Sequence, residues 1–187
     1  MVCFKPGLRK IANMMKSESE SSEHFLVGLS GNGASGKTTL CNSLKEYLDF
    51  SYVNLDGYYY DSELRHEKNM TGAHPESFDK AKVLKHLKAL KDGEEISMPL
   101  EEGGFRKVKS SKTIIVDGFS AFLLPGWKEL FDLTIFLDCP EEIVKERKYS
   151  SRIVDEEFER VFKLRMEQYE KYVKPKMEEV DHIVRVI

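Results

Sequence analysis

Between an apolar run and an apparent helix, residues 28–40 read GLSGNGASGKTTL. Within this stretch Gly31, Asn32, Gly33, Ala34, Ser35, Gly36, Lys37, Thr38 and Thr39 carry the spacing of glycine, four residues, glycine, lysine and a hydroxyl residue. That spacing suits a polyphosphate. Gly31, Gly33 and Gly36 let the main chain curl until its amide hydrogens converge on phosphate oxygens with no side chain in the way. Lys37 adds a cation for the β- and γ-phosphates, Thr38 offers a hydroxyl to Mg2+, and the following helix presents its positive N-terminal end. At ordinary residue frequencies the four fixed positions would coincide in a chain of this length less than about once in a hundred times. ATP and Mg2+ are the expected cofactors.

Two aspartates are candidates for the remaining acid and metal roles. Asp117, in TIIVDG, follows an apolar run, where a carboxylate would hold Mg2+ with Thr38. Asp56, in VNLDGYYY, ends a neighbouring run and would point to the same edge of a sheet, because ligands gather at the carboxyl ends of strands. Each also precedes a glycine, the pattern of an aspartate that merely opens a turn. Cations over the phosphates would stabilise a moving phosphoryl group. Arg147, Arg152 and Arg160 are the candidates for a mobile cationic lid, and a further basic position falls at Arg165. Tyr58 and Tyr59 could floor an acceptor pocket or belong to the core. His74 precedes Pro75 and reads equally as a turn residue.

The elements that must position these groups follow from periodicity. HFLVGLS, SYVNLD, KTIIVDGFSAF, LFDLTIFLDCP and DHIVRVI are short apolar runs, and helical spacing separates them over residues 37–48, 78–91, 140–148 and 156–174. Strands alternating with helices predict an α/β fold of three layers, a five-stranded parallel sheet covered on both faces. Residues 94–111 break the alternation with period-two character around Gly103-Gly104, which predicts a β-hairpin projecting from the sheet. Residues 17–23, SESESSE, have nothing to bury. Residues 1–22 are therefore expected to be a tail and polar linker, and the domain to run over 23–187.

Composition narrows the partners. The chain has 187 residues, 41% hydrophobic and 33% charged, enough for one domain with a real core. A net charge of −3 argues against wholesale attraction to nucleic acid or an acidic membrane. Cys3, Cys41 and Cys139 lack the paired spacing of a zinc or redox site, which suits a reduced cytoplasm. A small-molecule partner is expected, and the chain could serve as a monomer or a homo-oligomer.

These motifs resemble the uridine kinase and phosphoribulokinase group of small P-loop kinases from about Phe25 to the C-terminus. GASGKTT looks like their phosphate loop, and LDGYYY is similar to the Asp-x-Phe-Tyr element whose aspartate acts as base on the acceptor hydroxyl, a role the resemblance gives to Asp56. HPESFD resembles the HPDAFD segment of uridine kinases. VDGFSAF parallels VEGILAF, with Asp117 in place of glutamate. QYEKYVKPKMEEVDHIV is similar to their C-terminal signature and implies a substrate contact at Gln168 and a phosphate contact at Arg160. Two departures concern the acceptor: Ala73 stands where uridine kinases carry a ribose-binding aspartate, and LEEGGF replaces the hairpin element that reads the pyrimidine. Nicotinamide riboside kinases, of the same group, share the GF that follows Asp117. The resemblance implies transfer of the γ-phosphoryl group of ATP to a nucleoside-like acceptor. A nucleotide-dependent switch is the competing expectation, although no guanine-reading Asn/Thr-Lys-x-Asp element occurs.

Overall fold

Valine, isoleucine and leucine runs pair side by side in the chain's central sheet. The computed structural model describes residues 5–151 and 153–186. Strands β1 (Phe25–Gly31), β2 (Ser51–Asn54), β5 (Thr113–Asp117), β6 (Leu133–Asp138) and β7 (His182–Arg185) form a five-stranded sheet in the order β2-β5-β1-β6-β7. All the pairings are parallel. β1 lies between β5 and β6, so the connection after β1 runs toward one edge and the connection after β5 toward the other, which opens a crevice beyond the carboxyl ends of these strands. The phosphate loop begins there.

The three central strands, β1, β5 and β6, feed both faces. Leu26, Ile114, Val116 and Phe136 enter one core, whereas Val27, Leu29, Ile115 and Ile135 enter the other. The first face is covered by α4 (Lys80–Lys91), the short α5 (Trp127–Leu130) and the C-terminal turns; α2 (Lys37–Leu44) and α6 (Glu141–Ser150) cover the second. A three-layer α/β/α domain results. Gly28 allows the rings of Phe122 and Phe131 to press on β1, since a Cβ there would lie 2.8–2.9 Å from them.

Three local expectations need correction. The segment expected to be a tail is a helix, α1 (Lys5–Glu18), and it is part of the domain. Its Leu8, Ile11, Ala12 and Met15 recur at helical spacing and are buried in the second core with Leu40, Cys41 and Leu44 of α2. The acidic serine-rich stretch contributes only the helix end and the turn that follows.

The hairpin is present as β3 (Ile96–Pro99) and β4 (Phe105–Val108), joined across Gly103 and Gly104 at φ 90 and 81. It does not simply project, because Ile96, Met98 and Val108 are buried in the first core. Last, α7 (Glu156–Gln168) ends six residues before the expected 174 and continues as a wider turn, Tyr169–Val173, and a 3-10 turn, Lys174–Glu179. Pro175 falls in the first turn of that last segment, where its missing amide hydrogen is not needed. Among the described residues no helix is long and apolar enough to cross a membrane.

Candidate active site

The phosphate loop leaves β1 at Gly31, whose φ of 141 and closeness to β6 exclude a side chain: a Cβ would fall 2.4 Å from the Leu137 carbonyl oxygen. Ala34 (φ 63) and Gly36 (φ 102) complete the curl in left-handed geometry before α2 begins at Lys37. Lys37 Nζ donates to the carbonyl oxygens of Gly31 at 3.1 Å and Asn32 at 3.0 Å, so the cation is held over the loop. Among the described residues, the buried side-chain polar atoms without a hydrogen-bond partner are Asn32 Oδ1 and Ser35 Oγ, both in this loop. A polyphosphate only accepts hydrogen bonds, so the partners it would meet here are the loop amides, the positive end of α2 and Lys37.

Thr38 Oγ1 donates to Asp117 Oδ2 at 3.0 Å, and the Tyr52 hydroxyl donates to the same oxygen at 2.7 Å. Asp117 is buried at the end of β5, in register with Leu29 of β1 and Asn54 of β2. Burial, reinforced by Asp117, holds the Tyr52 phenol well above its ordinary pKa, so it stays a donor. A hydroxyl and a carboxylate at this separation are hard oxygen donors that fit Mg2+ when phosphate oxygens complete its shell. Among the described residues no group of three or more His, Cys, Asp or Glu could hold a metal unaided.

Asp56 lies just beyond β2, in a 3-10 turn (Leu55–Tyr58) fixed by Asn54 Oδ1, which accepts from the Asp56 amide at 2.8 Å. Burial raises the Asp56 carboxyl above its ordinary pKa; Asp117 and Glu101 add to the rise, while Lys37 and the Asn54 contact oppose it. One cavity of about 850 Å³ joins these groups. Gly33, Lys37, Thr38, Asp117, Asp56 and Arg147 all line it.

The other expected residues divide. Arg147, on α6, reaches back to donate to the Ala34 carbonyl oxygen at 2.8 Å and belongs to the cavity wall. Tyr59 is close by, its hydroxyl donating to Ser120 Oγ at 3.2 Å, and a Cβ on Gly72 would lie 3.3 Å from its ring. Tyr58 is instead a core residue, bonded to His86 Nδ1 at 2.7 Å. His74 is a turn residue, its ring accepting from the Glu76 amide at 3.1 Å and packing against Tyr172. Gln168 is buried and its amide is already engaged: Oε1 accepts from the Thr71 amide and hydroxyl, and Nε2 donates to the Asn69 carbonyl at 2.7 Å. It fixes the 69–73 loop and does not face the cavity.

Arg160 is exposed, paired with Glu157 and beside His66, and it lines a separate recess between α3 (Ser62–Glu67) and α7. Arg152 lies outside the described residues. The cations that do border the phosphate loop on this side are Lys148 and Arg165, whose side chains come within 3.6 and 3.8 Å of where a Gly33 Cβ would be. Helix geometry could have chosen between the two α7 arginines. Arg160 stands two residues from both Phe158 and Phe162, about 200° around the helix from the apolar stripe, whereas Arg165 flanks that stripe. Glu101 and Tyr52 had no motif to announce them.

Parallel sheet, glycine loop and the Thr38–Asp117 pair define a P-loop nucleotide-binding protein. A family model described as "AAA domain" matches residues 27–159. The chain belongs to that family, and its relatives group it with the uridine kinase-like small P-loop kinases. Uridine kinase-like protein 3 of Arabidopsis thaliana is 28% identical over 179 residues, which cover 88% of this chain and 38% of the plant protein. The uridine kinase of Borrelia duttonii is 28% identical over 178 residues, 85% of each chain. A candidate fructose transport system kinase from Silicibacter superposes with a TM-score of 0.71 at 21% identity, over 95% of this chain and 98% of that one. This last likeness is one of fold.

Proposed function

We propose that the protein transfers the γ-phosphoryl group of ATP to a hydroxyl of a nucleoside-like small molecule. The observation that carries this reading is that Asp56 shares one cavity with Lys37, Thr38 and Asp117. A protein that only binds nucleotide needs no second carboxylate, half-buried, in the cavity of its phosphate loop. The acceptor class is supported by the uridine kinases among its relatives.

In this reading the loop amides and Lys37 bind the β- and γ-phosphates, and Arg147 and Arg165 spread positive charge over the γ-oxygens. Thr38 and Asp117 would hold Mg2+, which neutralises charge on the phosphate oxygens. Asp56 orients the acceptor hydroxyl and accepts its proton as the acceptor oxygen bonds to the γ-phosphorus. The bond from that phosphorus to the β–γ bridging oxygen breaks and ADP departs. The raised pKa of Asp56 makes it a stronger base than an exposed aspartate. Two buried free cysteines, Cys41 and Cys139, are in keeping with work in a reducing cytoplasm.

ADP release measured with and without a panel of nucleosides tests the proposal. Acceptor-dependent release of ADP is expected. Acceptor-independent hydrolysis, unchanged across the panel, would replace the kinase with a nucleotide-dependent switch.

A further inference from the structure

The last turn of α7 touches two separate walls of the cavity. Arg165 reaches the phosphate loop, its guanidinium 3.8 Å from where a Gly33 Cβ would be, and Met166 Sδ accepts from Asn32 Nδ2 of the same loop at 3.5 Å. Two residues on, Gln168 Oε1 accepts from the Thr71 amide at 2.8 Å and hydroxyl at 2.9 Å, and its Nε2 donates to the Asn69 carbonyl oxygen at 2.7 Å. The Thr71 hydroxyl accepts from the Ala73 amide at 3.2 Å, so this network clasps Gly72, which lines the cavity, from both sides. Tyr169 then packs on Phe119, another lining residue, with ring centroids 5.7 Å apart. A single helical turn bridges the phosphate loop and the 69–73 loop.

The two junctions differ in strength. Gln168 is buried with its amide fully engaged, whereas Asn32, also buried, has a thioether, a weak acceptor, for its amide hydrogens and no partner for Oδ1. A buried carbonyl oxygen without a donor gains nothing by staying where it is, so little holds Asn32 in this arrangement. Lys37 donates to the main-chain carbonyl oxygen of that same Asn32. A polyphosphate competes for the Lys37 cation, and its arrival therefore changes the partners of the residue whose side chain meets Met166. The change enters α7 at Met166 and leaves it at Gln168.

We infer that the last turn of α7 couples nucleotide binding to the 69–73 loop, with Met166 and Gln168 as its positioning residues. A nucleotide on the phosphate loop steadies the 69–73 loop, and a molecule seated against Gly72 tightens nucleotide by the same factor, because coupling between two sites is reciprocal. The inference rests on the kinase reading only in making the Gly72 wall part of the acceptor's site. Its test needs no acceptor.

Hydrogen exchange of the Thr71 and Ala73 amides, followed by NMR with and without saturating ADP in magnesium buffer, is compared in wild type, Met166→Leu and Gln168→Leu. Met166→Leu nearly conserves volume and removes the sulfur acceptor. In wild type ADP is expected to slow the two amides about fivefold or more, and in Met166→Leu the ADP effect should fall below about twofold while exchange without ADP stays as in wild type. Gln168→Leu should exchange fast in both states, with ADP affinity measured by calorimetry close to that of wild type. A Gln168 that served packing alone would speed exchange on removal yet leave the ADP response of Met166→Leu whole. No slowing by ADP in wild type, full slowing in Met166→Leu, or a Thr71 amide as slow in Gln168→Leu as in wild type would overturn the inference. Met166-dependent slowing without acceptor-dependent ADP release across the nucleoside panel would retain it and sink the kinase reading. Acceptor-dependent release without such slowing would do the reverse.

Discussion

Tyr52 and Thr38 both donate to one oxygen of Asp117, at 2.7 and 3.0 Å, and leave its other oxygen to a ligand. Aspartate is one methylene shorter than glutamate, so a shared anchor from the neighbouring strand fixes where this shorter carboxylate ends. Tyr52→Phe removes one donor and keeps the ring. A hydrogen bond to a charged group contributes about 1.5–3 kcal/mol, which corresponds to roughly ten- to hundredfold in an equilibrium. Part of that loss should appear as a higher Mg2+ concentration for half-maximal binding of a fluorescent ADP analogue. Unchanged Mg2+ dependence would show that Thr38 alone orients Asp117.

Asp56→Asn should lower turnover by about a hundred- to ten-thousandfold, the usual range for a positioned base, and leave ADP affinity within twofold. The wild-type pH profile carries a second signature. Burial raises the Asp56 pKa, so the base loses activity as pH falls through a value above the ordinary aspartate range. The stability sign is the opposite of a salt-bridged acid: the folded state holds the proton more tightly, so stability declines as pH rises from the unfolded pKa through the folded one. At pH 7 the asparagine variant should therefore melt no lower than wild type. A clear drop in its melting temperature would mean that the carboxylate is a structural partner.

The parallel sheet was legible because its central strands β1, β5 and β6 are continuous apolar runs, buried on both faces, and the phosphate loop because its glycines have a backbone reason to stand where they do. Asp56 and Asp117 could be placed at one edge from strand ends alone. Side-chain direction was not legible. Tyr58 and Tyr59 are neighbours at the end of a 3-10 turn, and only the fold decides that one meets His86 and the other Ser120. Gln168 matched a substrate-contact signature, yet its amide is used up on Asn69 and Thr71. The amphipathic period of residues 8–15 was hidden by the polar stretch that follows it.

If α1 is part of the domain, Met15→Ala should be costly. Its side chain is 1% exposed, beside Leu40, Cys41 and Leu44 of α2 in one core. Truncating a buried methionine costs about 2–5 kcal/mol. Urea unfolding of Met15→Ala and of a chain lacking residues 1–20 should both show midpoints well below wild type. A truncated chain as stable as wild type would return α1 to the status of a tail.

Two glycines of the hairpin region separate packing from conformation. Gly57→Ala would drive a methyl into the Pro99 carbonyl at 2.1 Å, and because the obstacle is backbone, the hairpin itself must shift. A loss of about 2–4 kcal/mol is expected, in the range of overpacked sites. Gly103→Ala meets nothing within 4 Å but sits at φ 90, so it should cost only about 1 kcal/mol of backbone strain. Activity should follow a different order from a simple stability ranking, since moving the hairpin also moves Glu101 away from Asp56. Gly57→Ala is expected to raise KM for the acceptor more than Gly103→Ala does, with KM for ATP little changed in either. Equal acceptor KM values in the two variants would disconnect the hairpin's position from the acceptor end of the cavity.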